Sequence, residues 1–273
     1  MDQNLEFPLL RLGTSSFTAD GWNRSFYPPG MHSRDYLSYY ATQFDILEVD
    51  ATFYRIPALS TVQGWYNKTP SNFLYALKTP QEITHERILV DVDPIFNEFL
   101  RITEPLAEKL GVILLQFPYF NKQTFANAND FLARLRPFLE KLPKQPRFAL
   151  EIRNKFWLAP PLVDLLHKHR IALALIDHPW MPSPRDYCVR PELITTDFTY
   201  IRWLGDRHAI EELTKLWDKT IVDRSADLEE WVKACRNFWN QKIRVFAFAN
   251  NHYAGHAPAT LRLFQQLMKN REE

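Results

Sequence analysis

The sequence predicts an α/β fold, a single (β/α)8 barrel of the TIM type spanning residues 1–273, with a proline-rich irregular segment in place of a regular helix after the sixth strand. Three observations carry that expectation. Eight short apolar runs rich in β-branched and aromatic residues recur along the 273 residues, and amphipathic stretches of helical period separate them almost one for one. None of the runs opens into the G-x-G-x-x-G turn that would favour a dinucleotide-binding open sheet. Eight βα units in about 270 residues match a closed barrel, whereas a doubly wound sheet accommodates them less economically.

In chain order, the first strand is Leu10–Ser15, followed by a helical pattern over Ser33–Gln43. Ile46–Asp50 is the second strand and Ser60–Asn67 its helix; Phe73–Lys78 is the third, followed by Pro94–Leu110. Val112–Phe117 is the fourth strand, and Thr124–Leu142 is the helix after it. Phe148–Arg153 is the fifth strand, with Pro160–His169 opening on proline where a helix tolerates it. After the sixth strand, Ile171–Asp177, the stretch HPWMPSPRDY holds too much proline for a regular helix. Thr199–Leu204 and Ile243–Asn250 complete the strands, with helices over Ala226–Asn240 and Ala257–Lys269.

Composition excludes several classes. With 46% hydrophobic residues the chain is too apolar for disorder, and its 7 glycines are too few and aperiodic for a repetitive polymer. A net charge of +1 supplies no bulk field to gather nucleic acid or anionic membrane, although a local basic cleft remains compatible with it. The only cysteines, Cys188 and Cys235, have neither metal-ligand nor redox spacing, which suits a reducing, cytoplasmic compartment. The opening MDQNLEFPLL is acidic and lacks the basic and apolar regions of a signal peptide, and no run of about 18 apolar residues predicts a membrane span.

In a βα barrel the loops after the strands form the working face. Side-chain parity therefore selects candidates, because alternate residues of a strand point to opposite sides. Leu47 and Val49 take the helix-facing parity and leave Glu48 and Asp50 on the other; Phe148, Leu150 and Ile152 do the same for Glu151 and Arg153. Ser15, Lys78, Gln116, Asp177, Arg202 and Asn250 end the remaining strands. Charges gathered inside a barrel are costly unless paired or liganded. One reading is structural ion pairing, Glu48 with Lys78 and Glu151 with Arg153 or Arg202. The other is a polar site in which Glu48 and Glu151 divide acid and base roles and Lys78 joins them as catalytic cation or proton carrier. Arg153 and Arg202 add fork-shaped donors for carboxylate or phosphate, so a small anionic ligand fits best.

Aromatic residues collect beside the same loops: Trp22, Phe53, Tyr54, Trp157, Trp180, Trp203 and Tyr253 could stack on a sugar or base, or simply cover the barrel mouth. Trp65, Trp217, Trp231 and Trp239 fall on helical patterns and read as helix packing, and His167 and His169 as surface residues. His85, His178, His252 and His256 also follow strands. They could join carboxylates around a divalent metal, but no H-E-x-x-H or comparable spacing occurs, so neither metal nor cofactor is predicted and substrate contact is the preferred role. No P-loop, nucleophile elbow or Cys/His pattern is present.

The segments GTSSF (13–17), FYPPG (26–30), FDILEVDATFYRIP (44–57), NFLYALKTPQEITHE (72–86), LLQFP (114–118), ALEIRNKFW (149–157), YIRW (200–203) and FANNHYAGHAP (248–258) resemble the YecE-like family, also called domain of unknown function 72. The resemblance covers essentially the whole chain. It implies a βα barrel related in architecture to sugar isomerases and metal-dependent endonucleases, without a firmly established activity. It further implies that Glu48, Lys78, His85, Glu151, Arg153, Asp177, Arg202, Asn250, Asn251, His252 and His256 are the family's recurrent polar positions. One departure stands out: after Arg202 and Trp203 the chain has Leu204 before Gly205, where the family commonly has histidine. A mechanism needing a base from the seventh strand is weakened accordingly.

The expected protein is thus an enzyme acting on a small anionic, phosphate- or carbohydrate-type substrate, with isomerase, hydrolase and lyase chemistry all open. Catalysis would rest on Glu48, Lys78 and Glu151. Substrate would be held by Ser15, Trp22, Asp50, Tyr54, His85, Gln116, Arg153, Trp157, Asp177, Arg202, Asn250, Asn251, His252 and His256. Two alternatives are a nucleic-acid-binding or processing protein using Arg55, Arg207 and Lys78 on a phosphate backbone, which the near-neutral charge disfavours, and a metabolite-binding barrel without turnover. No membrane partner is expected, and the sequence sets no oligomeric state.

Overall fold

A computed structural model of the chain describes residues 9–270, so most of the acidic opening stretch lies outside the described residues. Eight strands alternate with helices: β1 (Leu10–Thr14), β2 (Ile46–Val49), β3 (Leu74–Lys78), β4 (Leu110–Gln116), β5 (Arg147–Glu151), β6 (Ala172–Asp177), β7 (Phe198–Trp203) and β8 (Arg244–Ala249). Their order, β1-β8-β7-β6-β5-β4-β3-β2, keeps sequence neighbours adjacent, and β1 pairs with β8, as β3 to β6 pair in succession, in parallel. This is the (β/α)8 class of the TIM type. The strands read as apolar runs because parallel strands are covered on both faces; in β4 every residue after Leu110 is buried.

The principal helices are α1 (Tyr36–Gln43), α2 (Leu59–Asn67), α3 (Asp93–Thr103), α4 (Ala128–Glu140), α5 (Pro160–His169), α6 (Pro184–Cys188), α7 (Arg207–Leu213), α8 (Ser225–Asn240) and α9 (Ala257–Lys269). Local chemistry moves several boundaries from their expected places. The helix expected over 94–110 stops at Thr103 and gives way to a 3-10 stretch, Glu104–Lys109, in which Ala107 has a left-handed φ of 46°. Asn127 starts α4 later than the apolar pattern suggests, its side chain accepting the backbone N–H of Asn129. In the proline-rich segment, Pro184 occupies the first turn of the five-residue α6, whose capping box joins Ser183 and Asp186. Helix α7 is too short to register as a periodic pattern. Trp217, expected on a helix, lies in the loop beyond α7.

The described residues form two compact units, one of residues 9–48, 175–191 and 200–270, the other of residues 49–174 and 192–199. The first is built around Trp203, which packs against Trp231, Tyr253 and Phe264. Its β1 passes so close to β2 that a Cβ on Gly13 would lie 2.0 Å from the Ile46 carbonyl oxygen, which leaves glycine as the residue that fits. The second has an aromatic cluster of Phe117, Phe120, Phe125, Phe131 and Trp157. Here the buried Lys109 donates from Nζ to the carbonyls of Tyr66 (2.6 Å) and Thr69 (2.7 Å), satisfying acceptors at the C-terminal end of α2. Among the described residues no helix is long and apolar enough to cross a membrane.

Candidate functional site

In the second unit the residues predicted to act lie at and just beyond the C-terminal ends of β2 to β5. Lys78 ends β3; its Nζ lies 3.9 Å from Asp50 Oδ1 and 3.7 Å from the centroid of the Phe53 ring, a cation-π geometry. Phe53 belongs to a short helical turn, Ala51–Tyr54, pinned to β3 by Thr52, whose Oγ1 is 2.7 Å from the Lys78 carbonyl oxygen. The edge of the same ring meets His85, with centroids 4.7 Å apart. His85 sits in a single π-helical turn, Glu82–Glu86, a local geometry frequent at functional sites.

Gln116 and Glu151 end the paired strands β4 and β5 in register. Gln116 donates to the Phe117 carbonyl (2.7 Å), and the fully buried Glu151 accepts a 2.9 Å charge-assisted bond from Arg153 Nε. Trp157 is stacked within the aromatic cluster, so it supports the loop after β5, while Tyr54 stands 71% exposed. Arg55 is exposed nearby in sequence.

The first unit holds the remaining candidates in three groups. Glu48, fully buried at the end of β2, receives Arg202 Nη2 at 2.6 Å and Nε at 3.2 Å on Oε1, while the Tyr200 hydroxyl donates to Oε2. Asp177 Oδ2 accepts from Trp231 Nε1 (2.7 Å) and the Tyr253 hydroxyl (2.9 Å). Its backbone carbonyl takes the N–H groups of Leu204 and Gly205, which anchors the loop after β7. Gly205 has φ +67°, and a Cβ there would come 2.5 Å from the His252 carbonyl oxygen, so this glycine lets that loop touch the turn after β8. Leu204, in the place where the resemblance implies histidine, is buried.

The third group surrounds that turn. Asn250 Oδ1 caps it through the His252 N–H (2.9 Å) and lies 2.6 Å from His252 Nδ1; His252 Nε2 is 3.0 Å from Glu211 Oε1. Trp217 meets the His252 ring edge-on at 4.8 Å. Asn251 Oδ1 accepts from Trp22 Nε1 (3.2 Å) and from the Ala257 N–H, and buried His256 lies 3.4 Å from Ser25 Oγ. Ser15 is buried after β1 with no partner for its hydroxyl. Trp22, Trp203 and Tyr253, counted among the rim aromatics, are core residues, whereas Trp180 is exposed. Arg207 is exposed and pairs with Glu211. Among the described residues no three His, Cys, Asp or Glu side chains are grouped to hold a metal ion.

Burial sets the protonation of two of these histidines. It lowers His85 to about 4, with the charges of Lys78 and Arg153 acting in the same direction and Glu151 opposing them. Burial, helped by Arg262, likewise lowers His256 to about 4. Both imidazoles are neutral at pH 7. Because each native pKa lies below the ordinary 6.5, the unfolded chain takes up protons first; the stability contributed above pH 6.5 is lost as pH falls toward 4. Allowing for solvent screening, the expected loss is on the order of 1–2 kcal/mol per histidine. Urea unfolding at pH 7 and pH 4.5 checks it: His256→Asn should flatten the pH dependence, and an unchanged slope would refute this account.

Several participants escaped sequence reasoning. Tyr200 shares the parity of Arg202 two positions away on β7, a signal that points straight at Glu48. Trp231 is on α8 as expected yet also donates to Asp177. Glu211 lies on the undetected α7, and Asn154, whose amide brackets Phe120 by accepting from its N–H (2.9 Å) and donating to its carbonyl (2.8 Å), carries no pattern of its own. Glu48 is paired with Arg202 and Lys78 lies near Asp50, while the expected Glu151–Arg153 pair is present.

Residues 11–273 match the family described as "Protein of unknown function DUF72". Over 152 residues the chain is 32% identical to the UPF0759 protein YunF of Bacillus subtilis (strain 168), covering 53% of this chain and 52% of that protein. Over 123 residues it is 32% identical to the UPF0759 protein YecE of Escherichia coli (strain K12), covering 45% and 43%. The chain thus spans about half the length of the curated relatives it matches. A solved DUF72 family protein from Thermotoga maritima MSB8 superposes with a TM-score of 0.73 at 24% identity, covering 96% of this chain and 100% of that one. Another from Enterococcus faecalis V583 gives 0.70 at 21%, covering 97% of both chains. These likenesses show the fold, and the sequence match over nearly every residue shows that the chain belongs to the DUF72 family.

Proposed function

We propose that the chain is an enzyme acting on a small anionic, phosphate- or carbohydrate-type substrate by acid/base chemistry at the C-terminal ends of β3 to β5. The observation that carries this reading is the grouping there of a largely buried ammonium, a guanidinium and a neutral imidazole: Lys78 with a side chain 12% exposed, Arg153 with one 29% exposed, and His85 lowered first by burial and then by both cations. Both cations already face carboxylates, Lys78 near Asp50 and Arg153 on Glu151, and a bound anion would add a further acceptor to their donors. It would also raise the basicity of His85, turning an inert imidazole into a proton acceptor when substrate is present. Glu151 orients Arg153 and offers a second carboxylate for proton transfer. In this reading Glu48, engaged at both oxygens by Arg202 and Tyr200, holds its neighbourhood rigid instead of exchanging protons. The free thiols of Cys188 and Cys235 suit a reducing, cytoplasmic location.

Isothermal titration of inorganic phosphate into wild type and Lys78→Met tests the reading. Loss of one charge-assisted contact is expected to weaken affinity about 10- to 100-fold, the equivalent of ~1.5–3 kcal/mol. In wild type, the His85 ring resonances should shift toward the protonated form on binding. Equal affinity in both proteins with a silent His85 would reject the site.

A further inference from the structure

Among the described residues of the second unit five large apolar side chains stay in solvent after folding; Leu59 (47% exposed) opens α2, and the other four lie in segments that follow the strands carrying the candidate site: Tyr54 after β2 (71%), Val90 after β3 (46%), Tyr119 after β4 (60%) and Phe156 after β5 (86%). Three of the four are aromatic. A single exposed aromatic residue needs no explanation, but three on the segments that follow β2, β4 and β5 do.

Their placement is tied to the charged groups by contacts already described. Tyr54 packs edge-on against Phe53 with centroids 5.2 Å apart, and Phe53 carries Lys78 on its face and His85 at its edge. One aromatic path therefore runs from solvent to the ammonium. On the other side, Asn154 follows Arg153 directly and bonds both backbone groups of Phe120, locking the loop that bears Tyr119 to the loop that bears Arg153 and Phe156. Lys155 Nζ lies 5.2 Å from the Phe156 ring centroid, adding a cation beside that exposed face. Neither loop owes its position to the exposed rings themselves, since Trp157, Phe120, Phe125 and Phe131 supply the packing beneath.

We propose that this site takes a ring-bearing anion: a phosphate or carboxylate gripped near Lys78 and Arg153, joined to a flat ring that stacks on Tyr54, Tyr119 or Phe156. The proposal rests on the anion-site reading above and narrows its substrate class. Flat aromatic faces meet planar rings over the whole face through dispersion and quadrupole contact, whereas a chair-shaped ring offers only a C–H face and a bare oxyanion none. Nucleoside monophosphates and aryl phosphates share this chemistry, so both belong in the test.

Titration calorimetry with inorganic phosphate, phenyl phosphate, cyclohexyl phosphate and adenosine monophosphate separates the outcomes. Phenyl phosphate is expected to bind about tenfold more tightly than inorganic or cyclohexyl phosphate, the factor that ~1.4 kcal/mol of stacking represents. The triple variant Tyr54→Ala, Tyr119→Ala and Phe156→Ala should lose that advantage, binding phenyl phosphate no more tightly than inorganic phosphate; all three side chains are exposed, so the fold is unaffected. Tighter binding of adenosine monophosphate than of phenyl phosphate would assign the larger planar ring as the better ligand. Inorganic phosphate bound as well as phenyl phosphate, or cyclohexyl phosphate bound equally, would overturn the ring proposal and leave the anion site standing. No binding of any of the four would remove both.

Discussion

Replacing Arg202 with methionine is expected to destabilise the protein by about 3–5 kcal/mol, a large share of the ~5–15 kcal/mol that holds a typical domain folded. The magnitude follows from what is left behind. Glu48 is fully buried, and without the guanidinium at 2.6 Å its carboxylate keeps only the Tyr200 hydroxyl among the partners identified for it. Desolvation of the pair has already been paid in the folded state, so breaking it leaves the cost without the attraction. The companion experiment is Glu48→Leu with Arg202→Met: removing both charges should recover much of the loss, because a buried pair is often no better than well-packed hydrocarbon. Urea unfolding reads both variants. A loss under about 1 kcal/mol in Arg202→Met would show that the pair is not what fixes Glu48.

Parity explains why some of this was legible in the sequence. A strand in a two-sided environment sends alternate residues to opposite faces, so a glutamate inside ILEVD or an arginine inside TYIRW marks the face that is not hydrocarbon, whatever the tertiary partners are. Partner choice was not legible, because it depends on how strands lie beside one another: nothing in the sequence singles out Arg202 as the group that holds Glu48. Exposure was equally hidden. Trp22, Trp203 and Tyr253 follow strands just as Tyr54 and Trp180 do, yet the first three are enclosed, since loop position fixes where a residue starts and the packing of short turns fixes where its ring ends. Elements under about eight residues, such as α6 and α7, complete too few turns for periodicity to reveal them.

Two carboxylates of the first unit, Glu48 and Asp177, solve the same problem differently. Glu48 has a cation beside it; Asp177 is held by neutral donors, Trp231 Nε1 and the Tyr253 hydroxyl, with Arg224 favouring its charge and Asp227 opposing it. The first arrangement needs the negative charge. The second needs only an acceptor.

That difference makes Asp177 the sharper probe. Asp177→Ala strips the acceptor from an indole N–H and a phenol O–H that are both fully buried; at ~1–3 kcal/mol for each unsatisfied donor, the expected loss is about 2–5 kcal/mol. Asp177→Asn keeps an oxygen that can accept from both and is expected to be at least as stable as wild type at neutral pH. Burial raises the Asp177 pKa above the ordinary 3.8, which means that the ionised form is the disfavoured one in the folded protein. The sign follows from linkage: stability contributed by the neutral acid is fully present below pH 3.8 and is lost as pH rises through the elevated native value. Wild type should therefore gain on Asp177→Asn as pH is lowered from 7 toward 4, opposite in direction to the histidine effect, which the comparison of the two proteins cancels. Unfolding free energies at several pH values decide it, and Asp177→Asn losing as much as Asp177→Ala would refute the neutral-acceptor account.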